Sequence, residues 1–323
     1  MTRVSVIIPS FNLGRFVEQT LDSVVSQDYK DLEVIVVDGV STDDTLKILK
    51  RYPLVRLISE PDSGMMEAMQ KGVRASTGDL IMLMPISDGY LDPTWISKCV
   101  DYLETHPQTS LCWGLPQYMS EDGVLGDVSY RYWLGRTAPS DVAIFEHWLV
   151  TGWHFPESNM CIRRSVVERL FQTIDPSGTM DGLAESIDGF LEFTYRFHTA
   201  GYLSGLIQTV ANFGRLHSGQ RGEIGNKSGE LCRHETSYRR ARNVFVKNLL
   251  VRRTGLTFRS SDGSEVGVYS PSFRKVCVLM TKFATSVIKR RLLGLAINAV
   301  GLIRLQRDRL GHRNLNLSSG LDI

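Results

Sequence analysis

The sequence of 323 residues lacks the features that mark several protein classes. Its five cysteines, Cys99, Cys112, Cys161, Cys232 and Cys277, lie far apart and include no Cys-x-x-Cys pair. This spacing argues against a disulfide framework and against a zinc site, so we expect buried, reduced thiols and a cytoplasmic location. No apolar run reaches the ~20 residues of a membrane-spanning helix. No signal segment precedes the first predicted strand.

Three phosphate-binding and nucleophile motifs are also missing. The residues after the first predicted strand read PSFNLGRF, not the Gly-x-Gly-x-x-Gly fingerprint of dinucleotide-binding enzymes. The sequence contains neither a Gly-x-x-x-x-Gly-Lys-Ser/Thr loop nor a Gly-x-Ser-x-Gly nucleophile elbow. A nucleotide diphosphate bound by this chain would therefore need a metal ion to neutralise its charge.

Short apolar runs alternate with amphipathic stretches over the first part of the chain. The runs VSVII, LEVIVVD, VRLIS and DLIMLM predict buried strands, and the stretches between them have helical spacing. This alternation predicts an α/β fold with a mostly parallel sheet and right-handed crossovers. Asp38, Asp62 and Asp88 follow three of the strands. We expect their carboxylates to converge at the sheet edge where ligands bind, and such a group suits Mg²⁺ or Mn²⁺.

The pattern is less regular beyond residue 93. TWISKCVDYLETHP predicts a helix, and the Gly-, Tyr- and Trp-rich stretch from Leu111 to Trp133 suggests a hairpin. SNMCIRRSVVERL predicts a strand that runs into a helix, and IDGFLEFTYRFHTAG predicts a helix that ends at Gly201.

Five segments occur in an order and spacing that match a known family. They are VSVIIPSFN, VIVVDGVSTDDT, SEPDSGMMEAMQKGVRASTGDLIMLMPISDG, AESIDGFLEF and GRLHSGQ. Together they resemble the inverting family 2 glycosyltransferases, which have the GT-A (Rossmann-like) fold and use nucleotide-diphosphate sugars. The resemblance covers about Val4 to Gln220. It implies an enzyme of polysaccharide biosynthesis at the cell envelope that transfers a hexosyl or deoxyhexosyl group, with inversion, to a glycan or lipid-linked glycan acceptor.

The resemblance also implies roles for individual residues. The residues that match the nucleotide-binding positions of the family are Pro9, Ser10, Asn12, Asp38, Asp62, Gly64, Ser87 and Asp88. Asp38 matches the acid that hydrogen-bonds a pyrimidine base, which implies a UDP- or dTDP-sugar as donor. Asp88 matches the metal ligand of the Asp-x-Asp element, and His217, with Arg215, matches a late segment that closes over the diphosphate. Asp88 and His217 would then hold Mg²⁺ or Mn²⁺.

Asp188 matches the general base of the family, which takes the proton of the acceptor hydroxyl as that oxygen attacks the anomeric carbon. The sequence departs from the family pattern at two places, the residue before Asp188 and the Asp-x-Asp metal motif. Ile187 stands where Glu is common, which leaves the base in place. Ile86-Ser87-Asp88-Gly89 replaces Asp-Ala-Asp-Asp, so two oxygen ligands are absent. This loss supports an alternative, a catalytically silent module of the same fold that binds nucleotide sugars or glycans.

Each of these residues also has a plain structural interpretation. Asp38 could cap the following helix, and Asp88 lies in a Ser-Asp-Gly sequence that favours a turn. Asp188 also suits a helix cap, with Glu185 as a rival base, and His217 could be an ordinary surface histidine. The aromatic residues of WLVTGWHF suit an acceptor cleft or a plain core equally.

The last part of the chain is basic, although the net charge of the whole chain is only +2. We divide the chain into a GT-A domain, 1–222, and a basic, mainly helical extension, 223–323. Within the extension, Leu292, Ala296 and Val300 fall on one helical stripe with bases at both ends. This stripe suits contact with an anionic membrane surface, which would make the protein peripheral, or packing on the catalytic domain. Nucleic-acid binding is not expected, because no recognised fold for it is present.

Overall fold

A computed structural model of the chain describes residues 1–134, 137–174, 189–218 and 230–286. The chain divides into two compact units, Met1–Ser270 and Pro271–Ile323. In the second unit the described residues form a helix over 273–286. The predicted boundary after residue 222 lies in an interval outside the described residues and stays a prediction.

A nine-stranded mixed sheet forms the centre of the first unit. Its strands are β1 (Val4–Ser10), β2 (Leu32–Asp38), β3 (Val55–Ser59), β4 (Leu80–Leu83), β5 (Gly89–Tyr90), β6 (Leu111–Met119), β7 (Leu125–Val128), β8 (Cys161–Arg163) and β9 (Ser204–Arg215). The strand order is β3-β2-β1-β4-β8-β6-β9-β5, and β7 pairs with β6. Strands β1 to β4 are mutually parallel where they pair, and β6 is parallel to β9. The predicted α/β fold with a mostly parallel sheet is therefore confirmed.

Helices cover both faces of this sheet, as the sequence pattern predicts. They are α1 (Gly14–Val25), α2 (Thr45–Leu49), α3 (Met65–Ala75), α4 (Trp95–Thr105), α5 (Asp141–Thr151), α6 (Arg164–Val166), α7 (Gly189–Thr199) and α8 (Glu230–Val246). A wider helical turn, Val167–Phe171, continues α6, and another, Lys247–Val251, continues α8. Two single turns lie at Arg131–Trp133 and Glu157–Asn159, and a separate hairpin pairs β10 (Leu256–Arg259) with β11 (Glu265–Tyr269).

Helix α2 has only five residues, Thr45–Leu49. The carboxylate of Asp43 accepts the N–H of Thr45 at 3.0 Å and the N–H of Gly14 at 2.9 Å, so it bonds to the start of α2 and to the start of α1. Pro53 follows closely and cannot continue the helix. The other predictions hold: β6 and β7 form the hairpin, β8 runs into α6, and the chain leaves α7 through Gly201 with φ +86°.

Alternation along the buried strands divides the core into two apolar layers. Ile7 on β1 packs on one face with the aromatic residues Trp113 and Phe155. Val6 and Ile8 point to the other face, where Trp95 of α4 is fully buried. Because successive side chains point to opposite faces, a strand buried on both sides reads as a continuous apolar run.

Helix α8 belongs to the first unit and packs against α5. The indole N–H of Trp148 donates to the Tyr238 hydroxyl at 2.8 Å. The buried guanidinium of Arg242 donates to the carbonyls of Trp148 and Leu149 at 3.1 and 3.2 Å, which satisfies the last turn of α5. None of the helices in the described ranges has the length and hydrophobicity required to cross a membrane. The predicted stripe with Leu292, Ala296 and Val300 lies outside the described residues.

Candidate active site at the carboxyl ends of the strands

Three polar residues lie side by side where β1, β2 and β3 end. Ser10 pairs with Asp38 across β1 and β2, and Asp38 pairs with Ser59 across β2 and β3. The carboxylate of Asp38 is fully buried and accepts the Ser41 N–H at 2.7 Å and the Ser41 hydroxyl at 2.6 Å. Asp38 does not cap α2, which begins only at Thr45. It closes the loop that follows β2.

Ser10 adds a polar atom that the fold leaves without a partner. Its side chain is 5% exposed, and its hydroxyl oxygen has no hydrogen-bond partner among the described residues. Buried polar groups are nearly always hydrogen-bonded, so an orphaned hydroxyl calls for a specific explanation. Its position beside Asp38 suits a polar group of a bound ligand. Pro9, the preceding residue, pairs with Val37 within the sheet.

The loop after β1 is fixed to the loop after β2. Asn12 has φ +51°, a left-handed conformation that asparagine tolerates better than most residues. Its side-chain oxygen accepts the Thr42 N–H at 2.8 Å, and its own N–H donates to the Ser41 hydroxyl at 2.8 Å. Asn12 therefore holds the two loops that flank Asp38.

The loop after β3 lies against the same place. Asp62 accepts the N–H of Gly64 at 2.8 Å, and Gly64 has φ +127° at the start of α3. A Cβ atom on Gly39 would lie 3.0 Å from a carboxylate oxygen of Asp62, so the two loops are in contact. Burial raises the pKa of Asp62, and the charges of Glu67 and Asp38 add to this rise.

Phe11 is a residue of this site that the sequence analysis did not single out. Its side chain is 59% exposed, although it directly follows a buried strand. The Cβ position on Gly39 is 3.3 Å from the Phe11 ring. The available signal was a large apolar residue between Ser10 and Asn12, where the apolar run should already have ended. We call Ser10, Phe11, Asn12, Asp38 and Asp62 the nucleoside corner.

Asp88 forms hydrogen bonds with a different set of residues. Its carboxylate is buried and accepts the Ser158 hydroxyl, the Arg215 N–H at 3.0 Å and the Ser87 hydroxyl at 3.3 Å. Burial raises the pKa of Asp88, while these hydrogen bonds and the Arg215 charge oppose the rise. The Asp88 N–H also bonds to the Pro85 carbonyl at 3.0 Å, so the local turn expected from Ser-Asp-Gly is present.

Arg215 holds the segment around Asp88 in place. Its guanidinium donates to the carbonyls of Ser87, Ser120 and Glu121, each at 3.2 Å, and to the side chain of Gln19. The family resemblance pointed to Arg215 only as a companion of His217, and no sequence pattern pointed to Ser158. Neither residue has a local signal, because both act through contacts with segments distant in the chain.

His217 is buried, so it is not an ordinary surface histidine. It is 4% exposed, and its ring centre lies 5.1 Å from that of Phe16. Its Nδ1 atom has no hydrogen-bond partner among the described residues. Burial lowers the pKa of His217, the neighbouring Arg15 lowers it further, and Glu121 opposes this. The fold therefore favours the neutral form of the ring.

The described residues at this edge do not form a ready site for Mg²⁺ or Mn²⁺. Both oxygens of Asp88 accept protein hydrogen bonds, and its charge faces Arg215. Among the residues that the structure describes, neither Asp88 nor His217 belongs to a group of three close metal-ligating side chains. The predicted metal site stays a prediction.

The predicted base, Asp188, and its rival Glu185 lie outside the described residues. The first described residue after them is Gly189, which begins α7. A Cβ atom on Gly189 would lie 1.9 Å from the terminal methyl of Met66, so α7 begins in direct contact with the first turn of α3.

A group of partly exposed aromatic residues, which we call the aromatic cluster, lies next to α5. Its members are Tyr130, Tyr132, Trp133, His147 and Trp153. Ring centres of neighbours are 5.3 to 6.4 Å apart, and the Tyr132 hydroxyl bonds to His147 at 3.1 Å. Trp148, by contrast, is fully buried. Of the two tryptophans in WLVTGWHF, Trp148 belongs to the core and Trp153 is a partly buried member of the aromatic cluster.

Comparison with known proteins identifies the family of this domain. The sequence model described as "Glycosyl transferase family 2" matches residues 5–171. The chain is 36% identical over 102 residues to chondroitin synthase of Escherichia coli, a match that covers 30% of this chain and 15% of the synthase. It is 31% identical over 178 residues to a PGL/p-HBAD biosynthesis glycosyltransferase of Mycobacterium bovis, which covers 53% of this chain and 62% of the relative. These matches span less than two thirds of either relative.

Two solved structures have the same fold at low sequence identity. S. aureus TarS, residues 1–349 in complex with UDP-GlcNAc, superposes with a TM-score of 0.52 at 14% identity, covering 77% of this chain and 76% of that one. The mannosyltransferase PcManGT of Pyrobaculum calidifontis, in complex with GDP-Man and Mn²⁺, gives a TM-score of 0.51 at 16% identity, covering 94% and 80%. At these identities the likeness establishes the fold.

Proposed function

This chain belongs to glycosyl transferase family 2, and from that membership we propose that it transfers a sugar from a nucleotide-diphosphate donor to an acceptor hydroxyl, with inversion. The acceptor in this proposal is a glycan or a lipid-linked glycan. The observation that carries the proposal is the nucleoside corner, where the orphaned Ser10 hydroxyl lies beside the buried Asp38 carboxylate. A polar ligand at the carboxyl ends of these strands would satisfy that hydroxyl.

The nucleoside corner favours a pyrimidine nucleotide, so the proposed donor is a UDP- or dTDP-sugar. An ionised carboxylate offers about four acceptor positions, and Asp38 uses only some of them on Ser41 and Ser59. It can therefore accept the imide N–H of uracil or thymine. The exposed ring of Phe11 offers a flat apolar surface for the base. Guanine nucleotides present different donors, and a preference for GDP would contradict this assignment.

Asp188 is the proposed general base. It would accept the proton of the acceptor hydroxyl while that oxygen attacks the anomeric carbon and the bond to the diphosphate breaks. Both the new and the old bond lie on the same carbon, on opposite sides, so the configuration inverts. The support for this position is the contact between Gly189, the next residue, and Met66 at the start of α3. Helix α3 follows directly on the Asp62–Gly64 loop of the nucleoside corner.

The aromatic cluster is the proposed binding surface for the acceptor glycan. Sugar rings have apolar faces that pack on aromatic side chains, and polar tips such as indole N–H groups fix their orientation. The Nε1 atom of Trp153 is buried without a partner among the described residues, and Tyr132 is 44% exposed. The cluster is connected to Ser158, the partner of Asp88, by a short stretch of chain from Trp153.

One experiment separates this proposal from a catalytically silent binding module. The purified chain is incubated with UDP-, dTDP- and GDP-sugars and oligosaccharide acceptors, with Mn²⁺ or with EDTA, and released nucleotide is measured. We expect turnover with a pyrimidine donor. Turnover should fall at least ~100-fold in Asp188→Asn, since a general base contributes typically 10²–10⁴-fold. The matched variant Glu185→Gln should keep turnover near that of the wild type. Proton NMR of the anomeric position of the product reports inversion.

Donor binding is measured in parallel by thermal shift, because a ligand that binds only the folded state raises the melting temperature. Asp188→Asn should keep the shift of the wild type. Equal turnover in Asp188→Asn and wild type would remove the base assignment. A thermal shift with donor but no turnover across the acceptor panel would establish the silent module instead. Turnover that persists in EDTA would show that the predicted metal is dispensable.

A further inference from the structure

Three cysteines that are distant in the sequence meet inside the protein. Cys99 lies on α4, Cys112 on β6 and Cys161 on β8. Their three sulfur atoms all lie within 4.8 Å of one another, and each of the three side chains is fully buried. We call this group the thiol cluster. The expectation of buried, reduced thiols is confirmed for these cysteines, but their separation in the sequence gave no sign of the cluster.

The register of the sheet explains why the sulfur atoms come together. Cys161 on β8 pairs with Cys112 on one side and with Met82 of β4 on the other. Paired residues on adjacent strands point to the same face, so three sulfur-containing side chains stand in a row. Cys99 approaches this row from α4, which packs on that face. The thioether sulfur of Met82 accepts the Tyr90 hydroxyl at 3.7 Å, so the three thiols form the cluster.

We propose that the thiol cluster is a binding site for a soft, thiophilic cation, with Cu(I) as the ion it suits best. Metal–sulfur distances are about 2.3 Å for zinc, a similar d¹⁰ ion. Three sulfurs at that distance around a central ion form a triangle with sides of about 4.0 Å. The observed limit of 4.8 Å is thus within a small side-chain adjustment of trigonal coordination.

The ligand set selects a soft ion over the hard cations. All members of the group are sulfur ligands, and no carboxylate or imidazole of the described residues belongs to it. Thiolate and thioether ligands favour Cu(I), whereas Mg²⁺ and Mn²⁺ require oxygen. Zinc usually takes four strong ligands or keeps a water molecule, and this fully buried place offers three thiols.

The charge of the loaded site has a counterpart in the fold. When Cu⁺ binds, two thiol protons leave to solvent, and the ion with two thiolates and one thiol carries one negative charge. Arg163, two residues after Cys161, supplies a nearby positive charge. Its guanidinium is held by the carbonyls of Thr109 and Leu103 at 2.9 and 2.6 Å.

A bound ion would tie α4 to the central strands β6 and β8. This role is independent of the transfer reaction, so the proposal does not depend on the proposed function. Because the sulfur atoms are fully buried, the ion must enter during folding or through a transient opening of the α4 packing. The test therefore offers the metal ion both to the folded protein and to the protein during refolding.

The experiment is anaerobic, with the full chain reduced. Cu(I) is offered from a chromophoric chelator complex, once to the folded protein and once during refolding from denaturant, and metal content is measured after desalting. We expect one Cu(I) per chain by at least one route, a sulfur-only shell in X-ray absorption, and a higher melting temperature. Free Cu(I) at ~100 times its dissociation constant raises the ratio of folded to unfolded protein about 100-fold.

Variants locate the site. Cys112→Ala and Cys161→Ala should lose the bound Cu(I) and the thermal shift, while their chelator-treated forms keep the wild-type circular dichroism spectrum. The matched control is Cys277→Ala, since Cys277 is a free, exposed cysteine outside the cluster. It should keep one Cu(I). The proposal is overturned if no Cu(I) is retained by either route, if Cys112→Ala retains it, or if the chain retains Zn²⁺ in preference to Cu(I).

Discussion

Replacing His198 by phenylalanine is expected to make the protein more resistant to mild acid. His198 on α7 is 1% exposed and is sandwiched between Trp148, with ring centres 4.5 Å apart, and Phe155 at 5.2 Å. Neither ring nitrogen has a hydrogen-bond partner among the described residues. An apolar, unpaired environment disfavours the charged imidazolium, and burial lowers the pKa of His198 to about 3.

The loss of stability in acid follows from the difference in His198 pKa between the folded and the unfolded state. In the unfolded chain a histidine has a pKa of about 6.5, so below that pH the unfolded state binds a proton that the folded state does not. The proton-linked loss of stability from His198 is therefore absent above pH ~6.5, and it grows as the pH falls towards 3. The slope is about 1.4 kcal/mol per pH unit, which gives a loss of about 2 kcal/mol at pH 5.

At pH 5 the expected loss of stability does not depend on the exact pKa of His198 in the folded state. Because pH 5 lies well above the folded pKa of about 3, the loss there is set by the unfolded pKa and by the neutrality of the folded ring. Phenylalanine keeps the aromatic sandwich and removes both unpaired nitrogens. We expect His198→Phe to be at least as stable as wild type at pH 7, since an unsatisfied buried polar group costs about 1–3 kcal/mol.

The assay is urea unfolding followed by circular dichroism at pH 7 and pH 5. Between these conditions wild type should lose about 2 kcal/mol more unfolding free energy than His198→Phe. His154→Phe is the matched control, because His154 is an exposed histidine of the same region, and it should lose as much as wild type. Equal losses in wild type and His198→Phe would mean that the folded protein accepts the proton, which would refute the buried, unpaired environment.

Two further predictions concern the candidate site. Asp88→Ala should lower the unfolding free energy by about 2–4 kcal/mol in chemical denaturation, since it leaves the Ser158 hydroxyl and the Arg215 N–H unpaired in a buried place. The control Asp44→Ala, at an exposed position, should leave the denaturation midpoint unchanged. An unchanged midpoint for Asp88→Ala as well would show that Asp88 has no structural role. Tyr132→Ala should raise KM for the acceptor by about tenfold, equivalent to ~1.4 kcal/mol of stacking, and leave KM for the donor unchanged. A rise in the donor KM instead would move the aromatic cluster into the donor site.

Local patterns were sufficient to predict most of the fold. The continuous apolar runs around Ile7 and Ile81 identified strands buried on both faces, and their alternation with amphipathic stretches predicted a parallel sheet. The same pattern placed Asp38 and Asp62 at the carboxyl ends of strands: Asp38 is the last residue of β2, and Asp62 lies in the loop after β3, in contact with Gly39. The start of helix α2 did not follow from a local pattern, because the side chain of Asp43 bonds to the starts of both α1 and α2.

The partners of the site residues could not be read from local patterns. Asp88 was predicted as a turn residue or a metal ligand, and the turn is present. Its carboxylate, however, accepts hydrogen bonds from Ser158 and from the N–H of Arg215. These residues are 70 and 127 positions away in the chain, so their meeting depends on how β4, β8 and β9 are ordered in the sheet.

The sequence alone determined the class of fold and the order of the strand ends, because side-chain periodicity and strand-end residues are properties of short segments. The tertiary structure alone decided which distant side chains meet. Cys112 and Cys161 are neighbours only because β6 and β8 pair at that register, and Cys99 joins them only because α4 packs on that face. A change of one residue in the register would turn these sulfur atoms to opposite faces of the sheet, and no local pattern fixes that choice.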